Sequence, residues 1–294
     1  FKDEPFDFAP GETFLYNNSG YYLLGMIIAE VSGEGYREYL KDRLFEPLGL
    51  TGSYYCDERP IIPWRAEGYQ ALEGDLVNDD YLSMNQPGAA GALCSTVPDL
   101  LKWTGALTSG QVVSPESYAQ MTTPFTLNDG SKTDYGFGLG VDDLEGHSRV
   151  SHGGGINGFV TSLSHFPEAD LDVVVLSNTT GAHPGQIAEL ISRWALGIEV
   201  PTVLDLELSP GEMAVYEGAY ELESGVDLSV FSRDGQLFTQ ATGEDETRLR
   251  AQGDHSFIPS FDDTARLVFT VVDGWATGAT LFQGGRSREL PRIR

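Results

Sequence analysis

The 294-residue sequence predicts a mixed α/β protein of the α+β kind, with helices packed on an antiparallel sheet and a small all-β domain behind them. Three observations predict this order. Apolar residues recur at helical spacing up to about residue 122, and they alternate as in strands between about residues 135 and 177. After residue 200, short alternating segments separated by glycine-containing turns predict an antiparallel barrel or sandwich. We therefore expect two domains, residues 1–200 and 201–294.

Helices are predicted where a capping residue precedes an apolar face. The first spans residues 17–32, with Asn17 or Asn18 as its N-cap and Gly33 as its stop. Further helices are predicted over the following segments: 36–45, 97–107, 114–121 and 182–196. The last is amphipathic, so we expect it to cover the sheet. Residues 51–92 have only weak periodicity and predict a long irregular loop.

Strands are predicted where apolar and polar residues alternate. In the first domain they lie at 135–141, 149–152, 158–166 and 171–177, which predicts an antiparallel sheet of at least three strands. In the second domain eight short segments are predicted as strands: 218–222, 227–233, 236–242, 247–251, 256–259, 266–272, 276–282 and 287–292. We expect these eight to form a small antiparallel β-barrel of the lipocalin-like kind.

Composition excludes several classes of partner. A formal net charge of −26 repels phosphate backbones, so we expect no nucleic-acid binding. No run of about 18 apolar residues occurs, so we expect no membrane span.

The two cysteines, Cys56 and Cys94, can form one disulfide, but the sequence does not show whether they lie close together, and two buried free thiols are the favoured interpretation. The sequence also lacks the close set of about four ligands that a structural zinc site needs.

Two short stretches carry the strongest chemical signals. Tyr16 and Asn18 stand two residues apart just before an apolar helix, and His152 ends a predicted strand ahead of Gly153–Gly155. Glycines there let a ligand backbone lie against the strand and leave amide groups free to bind an oxyanion. Taken singly, Tyr16 is a packing aromatic, Asn18 and Ser19 are helix caps, and His152 is structural. Four other histidines have no partner pattern and are expected at the surface or in turns: His147, His165, His183 and His255.

Together and in this order, the two motifs resemble the superfamily of class C β-lactamases, serine D-Ala-D-Ala carboxypeptidases, β-lactamase-like esterases and D-aminopeptidases. Further stretches resemble it in the matching places: 45–51, 88–101, 114–117 and Tyr135-Gly-Phe-Gly-Leu139. The resemblance covers roughly residues 8–198. It implies a β-lactamase/transpeptidase-like antiparallel sheet with a helical subdomain, and a small-molecule or peptide substrate. It implies no cofactor and no metal, and it favours a periplasmic or secreted location.

The resemblance also implies a role for each residue of the two motifs. Tyr16 would relay a proton from a nucleophilic serine to the leaving group. Asn18 would bind the acyl side chain and the activating lysine, and His152 would orient Tyr16 and the substrate. Gly153, Gly154 and Gly155 would line the substrate, with the Gly155 amide as half of an oxyanion hole worth about 3–4 kcal/mol.

One motif of the superfamily, Ser-x-x-Lys, does not occur in the sequence. Glu38, Asp99 and Asp129 stand three residues before three of the four lysines, and Lys2 has no third predecessor. Because this motif lies upstream of Tyr16 in the superfamily, we expect a missing N-terminal segment or a separate fragment to complete the fold. Two interpretations follow, an enzyme whose nucleophile lies outside these residues and a non-catalytic ligand-binding protein on the same scaffold.

Overall fold

The computed structural model describes residues 5–57, 59–72, 75–200, 202–223, 226–283 and 286–293. The chain divides into two compact units, residues 1–198 and 199–294. The first unit combines helices with antiparallel sheets, and the second is built almost entirely of strands. This is the fold class that the sequence predicts.

The described residues contain six α-helices: α1 (Asn18–Ser32), α2 (Tyr36–Leu40), α3 (Val97–Thr108), α4 (Pro115–Met121), α5 (Pro184–Leu196) and α6 (Pro210–Ala214). The predicted bounds of α1 are confirmed, because the Asn17 side chain accepts a hydrogen bond from the amide of Gly20 at 2.9 Å and Gly33 ends the helix in the left-handed region. A π-helical turn, Lys41–Phe45, continues α2. None of the helices in these ranges is both long and apolar enough to cross a membrane.

The strands of the first unit are β1 (Tyr54–Tyr55), β2 (Tyr69–Leu72), β3 (Asp75–Asn78), β4 (Leu93–Cys94), β5 (Gly140–Leu144), β6 (His147–Ile156), β7 (Phe159–Phe166), β8 (Leu171–Ser177) and β9 (Thr179–Thr180). The main sheet is antiparallel with the order β5-β6-β7-β8, and α5 packs against β7 and β8. The strand predicted from Tyr135 is wrong at its start. Tyr135 forms only an isolated bridge with Gly140, where β5 begins.

The prediction of an irregular loop over residues 51–92 is also wrong in part. Strands β2 and β3 form a hairpin, and β2 pairs in parallel with β9, with Tyr69 opposite Thr179. Strand β1 pairs with β4. The pairing of β2 with β9 and that of β1 with β4 join segments that are distant in sequence, which local periodicity does not report.

The two cysteines form a disulfide, so the interpretation as free thiols is wrong. Cys56 and Cys94 lie 38 residues apart in sequence, and their Cα atoms are 5.6 Å apart. The pairing of Tyr54 with Cys94 and the hydrogen bond from the Cys56 amide to the Ala92 carbonyl, at 2.8 Å, bring the two together. The bridge joins residues 54–57 to the segment that leads into α3.

The second unit is an eight-stranded antiparallel sheet in simple sequence order: β10 (Gly218–Glu223), β11 (Val226–Arg233), β12 (Gln236–Ala241), β13 (Thr247–Gly253), β14 (Ser256–Pro259), β15 (Arg266–Val272), β16 (Trp275–Gln283) and β17 (Arg286–Pro291). Its ends approach each other, since the Ile293 amide donates to the Ala219 carbonyl at 2.8 Å and Tyr220 bridges Arg292. The eight predicted strands are all present, and the sheet is nearly closed into a barrel. The helix α6, with its Ser209–Glu212 capping box, is an additional element.

Candidate active site

The start of α1 presents Tyr16 and Asn18 side by side. Because Asn17 provides the cap, the side chain of Asn18 is not needed to cap the helix. The Tyr16 hydroxyl instead donates to Asn18 Oδ1 at 3.4 Å. Tyr16 is 48% exposed, so a ligand can reach its hydroxyl.

The second predicted motif lies on the part of β6 that pairs on one side only. Strand β5 pairs with β6 as far as Ser151, opposite Gly140, whereas β7 continues to pair with β6 up to Ile156. In the described residues, therefore, the segment from His152 to Ile156 has one edge without a neighbouring strand. Gly153, Gly154 and Gly155 are all exposed there. Such an edge can accept an extended ligand backbone through main-chain hydrogen bonds.

The fold brings the two motifs together in one aromatic cluster. The ring centroids of Tyr16 and His152 are 6.1 Å apart. Tyr135, from the segment that precedes β5, lies 5.9 Å from Tyr16 and 5.8 Å from His152. Phe14 stacks on Tyr135 at 5.3 Å. Three segments that are distant in sequence thus meet at the open edge of β6.

Tyr135 is the direct partner of His152. Its hydroxyl lies 2.8 Å from His152 Nε2, and His152 Nδ1 contacts the carbonyl oxygen of Gly153. In the described residues no hydrogen bond joins Tyr16 to His152, because the Tyr16 hydroxyl bonds to Asn18. No role for Tyr135 is predicted from the sequence. Its only signal was its place in the Tyr-Gly-Phe-Gly-Leu stretch, since the contact with His152 depends on the fold.

The environment keeps Tyr135 protonated. Burial raises the pKa of its phenol well above the ordinary value, and the nearby phenols of Tyr21 and Tyr16 raise it further. Burial also raises the pKa of Tyr21, which shares a hydrogen bond with Tyr135. At neutral pH Tyr135 is therefore available as a hydrogen-bond donor.

The helix that carries Tyr16 is held close to its support by a glycine. Gly25 is the buried residue of α1 and faces the 3₁₀ turn Gly88–Ala90. A Cβ atom at position 25 would lie 2.3 Å from the Cβ of Ala89, so a larger residue would push the helix away. The position of Tyr16 thus depends on this close approach.

The far end of the glycine strand is fixed by the β2–β3 region. Gly158, at φ +77°, contacts Gly68 so closely that a Cβ at position 158 would lie 2.4 Å from the Gly68 Cα. The Gly158 amide donates to Thr180 Oγ1 at 2.8 Å, and Thr180 Oγ1 donates to Asp79 Oδ2 at 2.6 Å. The turn that follows Gly155 is therefore held by Gly68 and by Thr180, and Asp79 in turn fixes Thr180.

Comparison with known proteins gives a consistent result. The beta-lactamase family profile matches residues 1–196. The chain is 24% identical to penicillin-binding protein 4* of Bacillus subtilis (strain 168) over 98% of its own length and 68% of that protein. It is 26% identical to the D-aminopeptidase of Gluconobacter oxydans (strain 621H) over 76% of its length and 42% of that protein.

A solved structure with the same fold is the octameric penicillin-binding protein homologue from Pyrococcus abyssi. The TM-score is 0.62 with 26% identity, and the alignment covers 97% of this chain and 65% of that chain. The present chain thus spans less than two thirds of this homologue and less than half of the Gluconobacter enzyme.

Proposed function

The chain belongs to the beta-lactamase family, and on that premise we propose that it supplies the substrate-binding and proton-transfer residues of a serine hydrolase that works through an acyl-enzyme. One observation carries the proposal. Tyr16, Asn18 and His152 gather beside the exposed glycines of β6, where the strand has an open edge. Acyl transfer needs a group that carries protons and donors that stabilise the oxyanion, and exposed backbone amides at a strand edge can supply such donors.

In this proposal each part has one task. The substrate lies along the open edge of β6, and the Gly155 amide donates to the oxyanion that forms as the acyl bond is attacked. Tyr16 passes the proton of the attacking serine to the leaving group, while Asn18 holds the Tyr16 hydroxyl and the acyl side chain. Water then releases the acyl group by the reverse relay.

The proposed substrate is an amide, peptide or ester with a D-amino-acid acyl group. The D-aminopeptidases among the relatives support this class. The histidine of the His152–Gly155 stretch also favours an esterase or D-amino-acid peptidase over a dedicated β-lactamase. β-Lactams remain the third substrate class to be tested.

The proposal requires a serine and a lysine from outside these 294 residues, because Ser-x-x-Lys does not occur within them. We also propose an oxidising compartment, periplasmic or extracellular, and the Cys56–Cys94 disulfide supports that location.

The test uses the complete gene product and three chromogenic substrates: a D-amino-acid p-nitroanilide, a p-nitrophenyl ester and a cephalosporin. We expect turnover of the first two substrates. Tyr16→Phe should lower kcat roughly 10²- to 10⁴-fold because it removes the proton carrier, and His152→Ala should lower it roughly 10²-fold because it misplaces the reacting groups. Tyr54→Phe is the matched control, because the Tyr54 hydroxyl bonds to the Thr51 carbonyl away from the site. Full activity in both site variants would mean that the site is misplaced.

The absence of Ser-x-x-Lys favours a second candidate function, a non-catalytic ligand-binding protein. Intact mass of the purified natural protein separates the two. A mass of 32.0 kDa, from a gene with no upstream Ser-x-x-Lys, supports the binding protein and excludes the enzyme.

A further inference from the structure

Tyr135 occupies the position from which His152 can be held in place. Its hydroxyl lies 2.8 Å from His152 Nε2, and its ring is packed between Phe14 on one face and the edge of Tyr16. None of the roles that the resemblance implies for Ser-x-x-Lys, for Tyr16 and Asn18 or for His152 involves Tyr135. Its contacts nevertheless connect both motifs that this chain contains.

The backbone around Tyr135 is anchored, so its position is set by the fold. The Tyr135 carbonyl accepts from the Phe125 amide at 3.2 Å and from Thr133 Oγ1 at 2.8 Å. Two residues of β5 hold the other side: Gly140 bridges Tyr135, and the Val141 amide donates to the Asp134 carbonyl at 2.9 Å. These bonds direct the phenol toward His152 before any ligand binds.

The hydrogen-bond chemistry fixes which atom carries each proton. The Gly153 carbonyl can only accept, so the contact with His152 Nδ1 places a proton on Nδ1. In a neutral imidazole the other nitrogen is then an acceptor. Nε2 therefore accepts from the Tyr135 hydroxyl, which retains its proton at neutral pH because burial raises its pKa.

We infer that Tyr135 is a positioning residue that holds neutral His152 as its Nδ1–H tautomer and occupies Nε2. With both ring nitrogens engaged in hydrogen bonds, His152 is held in one orientation beside the open strand edge. In the proposed mechanism, Tyr16 carries the proton from the attacking serine to the leaving group. This inference rests on the proposed function for its catalytic meaning, but its structural content concerns only Tyr135, His152 and Gly153.

The test is ¹⁵N NMR of the histidine side chains in the 294-residue chain at a pH where the imidazoles are neutral. The five histidines are separated by comparison with the spectrum of His152→Ala. In the natural chain we expect a protonated Nδ1 and a hydrogen-bonded acceptor Nε2 for His152. In Tyr135→Phe we expect Nε2 to move toward the shift of an unbonded nitrogen and the Nε2–H tautomer to appear.

Two further variants make the result specific. Tyr54→Phe removes a phenol hydroxyl elsewhere and should leave the His152 signals unchanged. Tyr21→Phe removes the phenol that shares a hydrogen bond with Tyr135 and should move the Nε2 signal less than Tyr135→Phe does, since the direct partner of Nε2 is the Tyr135 hydroxyl. Near-ultraviolet circular dichroism checks that each variant is folded.

Kinetics of the complete gene product supply a second readout. We expect Tyr135→Phe to lower kcat roughly 10- to 100-fold with little change in KM, because a shifted imidazole misplaces the reacting groups. If the protein hydrolyses none of the substrates, the proposed function fails, whereas the NMR result still decides the role of Tyr135. A His152 spectrum that is the same in Tyr135→Phe as in the natural chain overturns the inference, whatever the kinetics.

Discussion

The two units of the chain differ in whether the edges of their sheets are paired. In the second unit, eight strands follow one another in order and the last approaches the first, with Tyr220, Phe257 and Leu267 at most 1% exposed inside. In the first unit, β6 has an open edge from His152 onward, and β8 ends the sheet within the described residues. Closure gives stability, whereas an open edge gives access to backbone groups that can bind a ligand.

The same contrast appears in the apolar side chains. Barrel residues Val230 and Leu249 are 3% exposed, whereas Ile27 and Val31 on α1 are 55% and 82% exposed. The helix that carries Tyr16 at its start thus buries little of its apolar surface within the described residues. The barrel has a filled core of its own, and the residues proposed for chemistry all lie in the unit whose surfaces are less completely covered.

The largest expected effect is on the stability of the barrel. Phe257→Ala should lower the free energy of unfolding of the second unit by about 3–5 kcal/mol, because it opens a cavity beside Tyr216 and Phe269. Hydrogen exchange followed by mass spectrometry on barrel peptides in increasing urea measures the change. Phe282→Ala, at a position that is 43% exposed, is the matched control and should cost far less. Equal costs for the two variants would mean that the barrel interior is not the core described here.

The next effect concerns the first unit alone. Cys56→Ser should destabilise it by about 2–4 kcal/mol, because the 38-residue separation closed by the disulfide constrains the unfolded chain. Cys94→Ser and the double variant should cost the same as Cys56→Ser, since each removes the same bridge. Urea denaturation monitored by peptides from each unit checks this. A loss of protection in barrel peptides as well would contradict this prediction, because it would mean that the two units unfold together.

The smallest effect is a pH dependence at the turn after the glycine strand. The hydrogen bond from Thr180 is the main cause that lowers the pKa of Asp79, and the Asp80 and Gly158 amides contribute further. The ionised carboxylate therefore stabilises the folded turn fully above the unfolded pKa of about 3.9, and this contribution is lost as the pH falls through the lower folded pKa. We expect the protection factor of the Gly158 amide to fall as the pH is lowered below about 4.

Asp79→Asn provides the control for that measurement. The variant should show lower protection of Gly158 at pH 6 and little further change on acidification. A natural chain whose Gly158 protection is flat across this range would show that Asp79 does not hold the turn.

Local signals in the sequence predicted much of the fold. Asn17 and Gly33 mark the ends of α1, and the eight alternating segments became the eight strands of the barrel. Both signals are local, since a cap or a hairpin turn is read from a few neighbouring residues. The Cys56–Cys94 disulfide and the parallel pairing of β2 with β9 were missed because they join distant segments.

The candidate site shows the same limit. Tyr16, Asn18 and His152 stood out because of their spacing and neighbours, and they remain predictions. Tyr135 had no such signal, since its relation to His152 depends on a bridge to Gly140 and on the path of the chain before β5. His165, expected at the surface or in a turn, is buried and pairs with Asp172 at 2.8 Å on the neighbouring strand, which only the sheet register reveals.

The most direct test of the account is the mass of a trapped acyl-enzyme. The complete gene product is mixed with a D-amino-acid ester, quenched in acid and digested, and the modified peptide is sequenced by mass spectrometry. We expect one acyl group on the serine of a Ser-x-x-Lys motif outside these 294 residues, with much less adduct formed in Tyr16→Phe. No covalent adduct, or an adduct on a serine within residues 1–294, would contradict it.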